Sequence, residues 1–194
     1  VIAVLCPTRR GPDALKLLAK SVADTSNARV LAYVDDDSRE AYRHGWGQNP
    51  GQFVDAMART FIYEGPRIGP VASMNVLVNH YLDQFDIFGM VPDDATFETA
   101  GWDRRMEEVA ASFQGGIGAM SPKHSLGDHV DIPFVTRRWI DILGWFAYPG
   151  FYHWGWPTVI SALAEGIQSL VHLPEESCFV RHDHLEPMKS GHLA

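Results

Sequence analysis

The sequence predicts an α/β protein with a mostly parallel central sheet flanked by helices, and three observations lead to that fold class. Short apolar runs alternate with segments whose apolar residues recur at helical spacing. The first two runs, residues 1–5 and 30–34, flank a helical segment, the pattern of a right-handed crossover joining parallel neighbours. Polar clusters fall where the runs end, at the rim where open parallel sheets bind ligands.

In the first crossover, Leu15, Leu18 and Val22 recur at helical spacing. Gly11-Pro12-Asp13 supplies its start, with proline where no backbone donor is needed and an acid at the positive helix end. After a loop over residues 44–51, a short helix through Phe53 and Met57 leads into a strand over 60–63. Met74, Leu77, Val78 and Tyr81 make the apolar face of the next helix, followed by a strand over 86–91. Residues 104–112 read as a helix, 116–120 as a strand and 121–131 as a polar loop. Pro157-Thr158 opens a helix that Gly166 closes, and 167–173 make the last strand.

A chain of 194 residues suits one core, so residues 1–194 are expected to form a single domain. Cys6 and Cys178 lie far apart without paired spacing, which argues against a disulfide framework or cysteine zinc site and for a reducing, cytoplasmic setting. The apolar start lacks a basic leader and runs into Cys6-Pro7-Thr8-Arg9, so a buried strand is expected there rather than a signal segment. The apolar stretch 139–156 is broken by Asp141, Gly144, Pro149 and His153, and no bilayer span is expected. A net charge of −8 disfavours nonspecific binding to nucleic acid, while Arg9-Arg10, Arg104-Arg105 and Arg137-Arg138 remain local phosphate contacts in reserve.

Four polar segments, Pro7-Thr8-Arg9, Asp35-Asp36-Asp37, Gly65-Pro66-Arg67 and Asp93-Asp94, end successive strands and should converge on one rim. Adjacent carboxylates such as Asp93 and Asp94 repel in a dry setting and need solvent, a cation or a raised pKa. Mg2+ or Mn2+ would satisfy them, with Asp94 as direct ligand; the other reading is a pair of turn caps before Ala95. Asp35, nearest its strand, is suited to accept a hydrogen bond from a nucleobase or ribose, and it too could be a turn residue. Trp145, Phe146, Tyr148, Phe151, Tyr152, Trp154 and Trp156 form a dense aromatic patch, either core or an acceptor wall.

Pro7-Thr8-Arg9, Val34-Asp35-Asp36-Asp37-Ser38, residues 69–75 and Val91-Pro92-Asp93-Asp94 occur in the order seen in family-2-like GT-A glycosyltransferases, which the chain resembles. Residues 92–103 look particularly like the acid pair and Thr-x-Gly-Trp-Asp segment of compact phage and bacterial members. The resemblance implies nucleotide contacts at Thr8, Arg9 and Asp35, a diphosphate-side loop at Arg67 and Gly69, and a metal at Asp94. Asp93 would support ribose or metal. His182, in Val180-Arg181-His182-Asp183-His184, matches the family's late histidine near the metal, and on an extended segment His184 would face the other way.

In Tyr152-His153-Trp154-Gly155-Trp156-Pro157, relatives carry an acid where this chain has Pro157. An inverting transfer needs a general base, so His153, Asp128 or Asp131 is expected to substitute, unless the reaction is retaining or the site inactive. The implied function is metal-dependent transfer of a sugar from a nucleotide-diphosphate donor, with uridine as the base, to a hydroxyl acceptor. That acceptor is a hydroxymethylated pyrimidine in DNA or a glycan, lipid-linked or protein hydroxyl. Nucleotidyl transfer to a sugar phosphate is the rival, although Arg9-Arg10-Gly11-Pro12 is a poor Gly-rich phosphate loop. A noncatalytic nucleotide- or glycan-binding module is the third reading.

Overall fold

The structure, a computed structural model, describes residues 1–9, 11–46, 54–125, 130–153 and 155–182. Its central sheet has seven strands in the order β3-β2-β1-β4-β8-β6-β9. The strands β1 (Ile2–Thr8), β2 (Arg29–Asp35), β3 (Thr60–Gly65) and β4 (Ile87–Met90) run parallel. Beyond them, β8 (Phe134–Thr136) is antiparallel to both β4 and β6 (Ala119–Ser121), and β9 (Leu170–His172) is parallel to β6. The sheet is therefore mostly parallel, as the strand, helix, strand pattern predicts.

Alternation along the strands divides the core into two layers. Ile2, Val4 and Cys6 face helices α1 (Pro12–Thr25) and α5 (Trp102–Ser112), whereas Ala3 and Leu5 face α4 (Pro70–Tyr81), α6 (Arg137–Leu143) and α7 (Trp156–Gly166). Each fully buried Leu or Val contributes roughly 1.5–3 kcal/mol, so both faces of β1 hold the sheet in register. Gly89 on β4 lies directly beneath Phe134 of β8, where a Cβ would stand 2.1 Å from the ring.

Two helices occupy segments for which the sequence predicts none. α2 (Arg39–Trp46) is short and strongly polar, and α6 lies inside the apolar stretch 139–156 and its flank. α3 (Val54–Ala58) matches the expected short helix, whose Phe53 lies outside the described residues. The strand expected over 116–120 is displaced: Gln114–Gly116 form a 3-10 turn with Gly115 and Gly116 at positive φ, and pairing starts at Ala119. Likewise the strand expected over 167–173 is confined to β9, because Gln168 turns at φ 54 after α7.

A second sheet, in the order β5-β10-β7, has no counterpart in the sequence reading. It joins β5 (Ala95–Phe97), which continues the acid pair, to β10 (Phe179–His182) and β7 (Lys123–His124). Residues 121–131 are thus not a simple loop. His182 does not follow the last strand; it ends it.

Candidate functional site

The strand order reverses between β1 and β4, with the crossover helix α1 on one face and α4 on the other. Such a switch point opens a crevice at the carboxyl ends of the strands. A cavity of about 290 Å³ lies there, lined by Thr8 at the end of β1 and Arg9 after it, Asp35 at the end of β2, Arg67 and Gly69 after β3, and Asp93 after β4. Tyr33, Tyr152 and His153 are among the other residues of its wall. A larger hollow of about 510 Å³, bordered by Asp86, Glu107, Arg137 and Asp141, lies at the opposite, amino-terminal end of β4. It gathers no strand-end carboxylates, and the smaller cavity is the site candidate.

Asp93 is buried at 7 % exposure and accepts a 2.5 Å hydrogen bond at Oδ2 from the Thr8 hydroxyl. Thr8 is itself buried and also contacts the Tyr42 hydroxyl at 2.7 Å. The Thr8 hydroxyl is therefore engaged with protein, and it holds one oxygen of Asp93.

Asp94 turns the other way. Its Oδ1 lies 3.0 Å from His182 Nε2, with side-chain exposures of 5 % for Asp94 and 13 % for His182. This meeting follows from strand register, because His182 pairs with Ala95, the residue after Asp94. Ser125 clasps the same point: its hydroxyl accepts from the His182 amide at 2.9 Å and donates to the His182 carbonyl at 3.0 Å. Ser125 is a site residue that sequence reasoning missed, since nothing in its local sequence marks a clasp formed across 57 positions.

Asp35 is buried at 5 % exposure, and its Oδ2 lies 3.1 Å from Arg9 Nε. Burial pushes the Asp35 carboxyl above the ordinary carboxylate range, and the Arg9 charge opposes that rise. Arg9 also approaches Asp37 at 3.8 Å, so it bridges the ends of β1 and β2. Arg67 is exposed on the rim. Gly69, at φ 84, opens α4 ahead of Pro70, and the Tyr152 ring lies so close that a Cβ at Gly69 would meet it at 2.8 Å. Backbone donors at the α4 start can meet an anion entering the cavity.

Of the candidate bases, His153 is exposed at the cavity wall. Asp131 is exposed in the segment before β8 and is not among the cavity-lining residues, while Asp128 lies outside the described residues. His184 and Trp154 also lie outside them. The aromatic patch divides: Phe146 and Trp156 pack in the core at 5.4 Å, whereas Tyr148, Phe151 and Tyr152 are exposed.

Among the described residues, no group of three or more His, Cys, Asp or Glu side chains gathers to hold a metal ion. The donor set present is Asp94 with His182, and Asp93 beside them. A Mg2+ or Mn2+ ion commonly rests on one or two carboxylates and takes its remaining oxygens from substrate phosphates and water. The residues fit an ion completed by a diphosphate and do not form a closed protein cage.

No family model and no curated protein matches the chain. Solved structures do match. A mannosyltransferase from Pyrobaculum calidifontis in complex with GDP-Man and Mn2+ superposes with a TM-score of 0.68 at 13 % identity, over 97 % of this chain and 58 % of that one. The fold is that of GT-A glycosyltransferases. TarS of S. aureus gives 0.65 at 8 % identity, over 92 % of this chain and 36 % of that one. A cytidylyltransferase from Leptospira borgpetersenii gives 0.50 at 12 % identity, over 90 % and 75 %. The chain thus spans little more than half of the mannosyltransferase and about a third of TarS. At these identities the GT-A likeness fixes the path of the chain, and the site's own residues must carry the chemistry.

Proposed function

We propose that the chain binds a nucleotide-sugar and transfers its sugar to a hydroxyl acceptor, with Mn2+ or Mg2+ at the diphosphate. The observation that carries this reading is the meeting of Thr8, Arg9, Asp35, Arg67, Gly69 and Asp93 around one cavity, with Asp94 and His182 joined beside Asp93. The mannosyltransferase neighbour, solved with GDP-Man and Mn2+, supports both donor class and metal.

In this reading Asp35 accepts from the base or ribose, with Arg9 holding its carboxylate in place. Arg67 and the α4 start at Gly69 face the diphosphate. Asp94 and His182 hold the ion, and Asp93 supports it or the ribose. The ion, when bound, stabilises the charge that develops on the leaving diphosphate. His153, exposed at the cavity wall, would take the proton of an acceptor hydroxyl in an inverting transfer; Asp128 and Asp131 are the reserves. The donor base is uridine by family resemblance. For the acceptor, the charge of −8 weighs towards a glycan and away from hydroxymethylated pyrimidine in DNA.

Nucleotidyl transfer is the competing reading because the cytidylyltransferase has a related fold. The test is product analysis with Mn2+. Release of nucleoside diphosphate from a UDP-sugar or GDP-sugar is expected. Pyrophosphate release from a nucleoside triphosphate and a sugar phosphate would support the competitor instead, and metal-dependent binding without turnover on any acceptor would leave a binding module.

A further inference from the structure

We infer that Tyr42, on helix α2, is a positioning residue for the acid pair, acting on Asp93 through Thr8; this rests on the reading of the cavity as a donor site. The proton count fixes the direction of the chain of hydrogen bonds. The Gly11 amide donates to the Tyr42 hydroxyl at 3.1 Å. Thr8 has one hydroxyl proton, and Asp93 Oδ2 accepts it at 2.5 Å. The 2.7 Å contact between Tyr42 and Thr8 must then be donated by Tyr42. Gly11 to Tyr42 to Thr8 to Asp93 is thus one oriented relay, and each member polarises the next.

The tyrosine has little freedom to do anything else. It is buried at 2 % exposure, and α2 is docked from two sides. Gly45 lies against Pro12 so closely that a Cβ would stand 2.3 Å from the proline ring. Arg43 makes a two-pronged pair with Glu64 on β3, at 2.8 and 2.6 Å. A helix outside the cavity wall therefore sets the orientation of a carboxylate inside it, with the end of β1 as intermediary.

Tyr42→Phe keeps the ring and removes the relay's second donor, and Thr8→Val removes the link to Asp93 altogether. Crystal structures of the parent and Tyr42→Phe read the position of Asp93 without any ligand. Isothermal titration of UDP and GDP with MnCl2 reads its consequence. We expect Asp93 to leave its single parental rotamer in Tyr42→Phe, and Mn2+-dependent nucleotide affinity to fall about three- to tenfold. Tyr42→Phe should have no further effect in a Thr8→Val background. Asp93 held in its parental rotamer in Tyr42→Phe overturns the proposal, as does an equal loss from Tyr42→Phe in the Thr8→Val background. Failure of the parent to bind either nucleotide defeats the donor-site reading instead, while the Asp93 rotamer still decides the role of Tyr42.

Discussion

At the scale of single residues, Asp35 carries a cost in stability at neutral pH. Its carboxyl lies above the ordinary range, with burial the main cause, so the folded chain keeps the proton to higher pH than the unfolded chain does. The stability linked to that proton is present at low pH. It is lost as pH rises from the unfolded value, about 3.9, through the raised folded value. At neutral pH the buried charge therefore costs stability, and Asp35→Asn should raise the melting temperature at pH 7 more than at pH 4 while weakening nucleotide binding. Thermal unfolding at the two pH values checks this, and an equal shift at both would show that Asp35 titrates normally. On the acceptor side, His153→Ala should lower single-turnover sugar transfer severely with donor affinity near the parental level. Transfer at the parental rate would remove His153 as the base.

At the scale of elements, legibility followed burial. The strands β1, β2 and β4 carry apolar runs because both faces are covered, and a two-sided core leaves a dense local signal, whereas β3 at the sheet edge is only partly covered. β5, β7 and β10 hold only two to four residues each and exist through pairing across the chain, so no local pattern announces them. The same split governs the site. Asp93, Asp94 and Asp35 were visible as polar ends of apolar strands, whereas Ser125 and Tyr42 act through contacts that only tertiary approach creates. The match of β4 to β8 gives a sharper test of element packing. Gly89→Ala would place a methyl within the Phe134 ring, an overpacking that should cost about 1–3 kcal/mol. Chemical denaturation measures it, and combining Gly89→Ala with Phe134→Leu should recover part of the loss.

At the scale of the whole molecule, the two sheets meet at the acid pair. Asp93 belongs to the cavity of the large sheet and Asp94 to His182 of the small one, so one peptide unit joins a cavity-lining carboxylate to a second carboxylate that pairs with a histidine 88 positions further on. Among the described residues no helix is long and apolar enough to cross a membrane. The GT-A architecture makes a crevice available but leaves open what enters it, as the mannosyltransferase and cytidylyltransferase likenesses together illustrate. The acid pair therefore bears the decisive test: isothermal titration of UDP and GDP, with and without MnCl2, into the parent and into Asp94→Asn. The parent should bind one of the nucleotides only with Mn2+, and folded Asp94→Asn should lose at least about tenfold in affinity, or 1.4 kcal/mol. Nucleotide binding that is indifferent both to Mn2+ and to Asp94→Asn would contradict a metal-assisted donor site at Asp93 and Asp94.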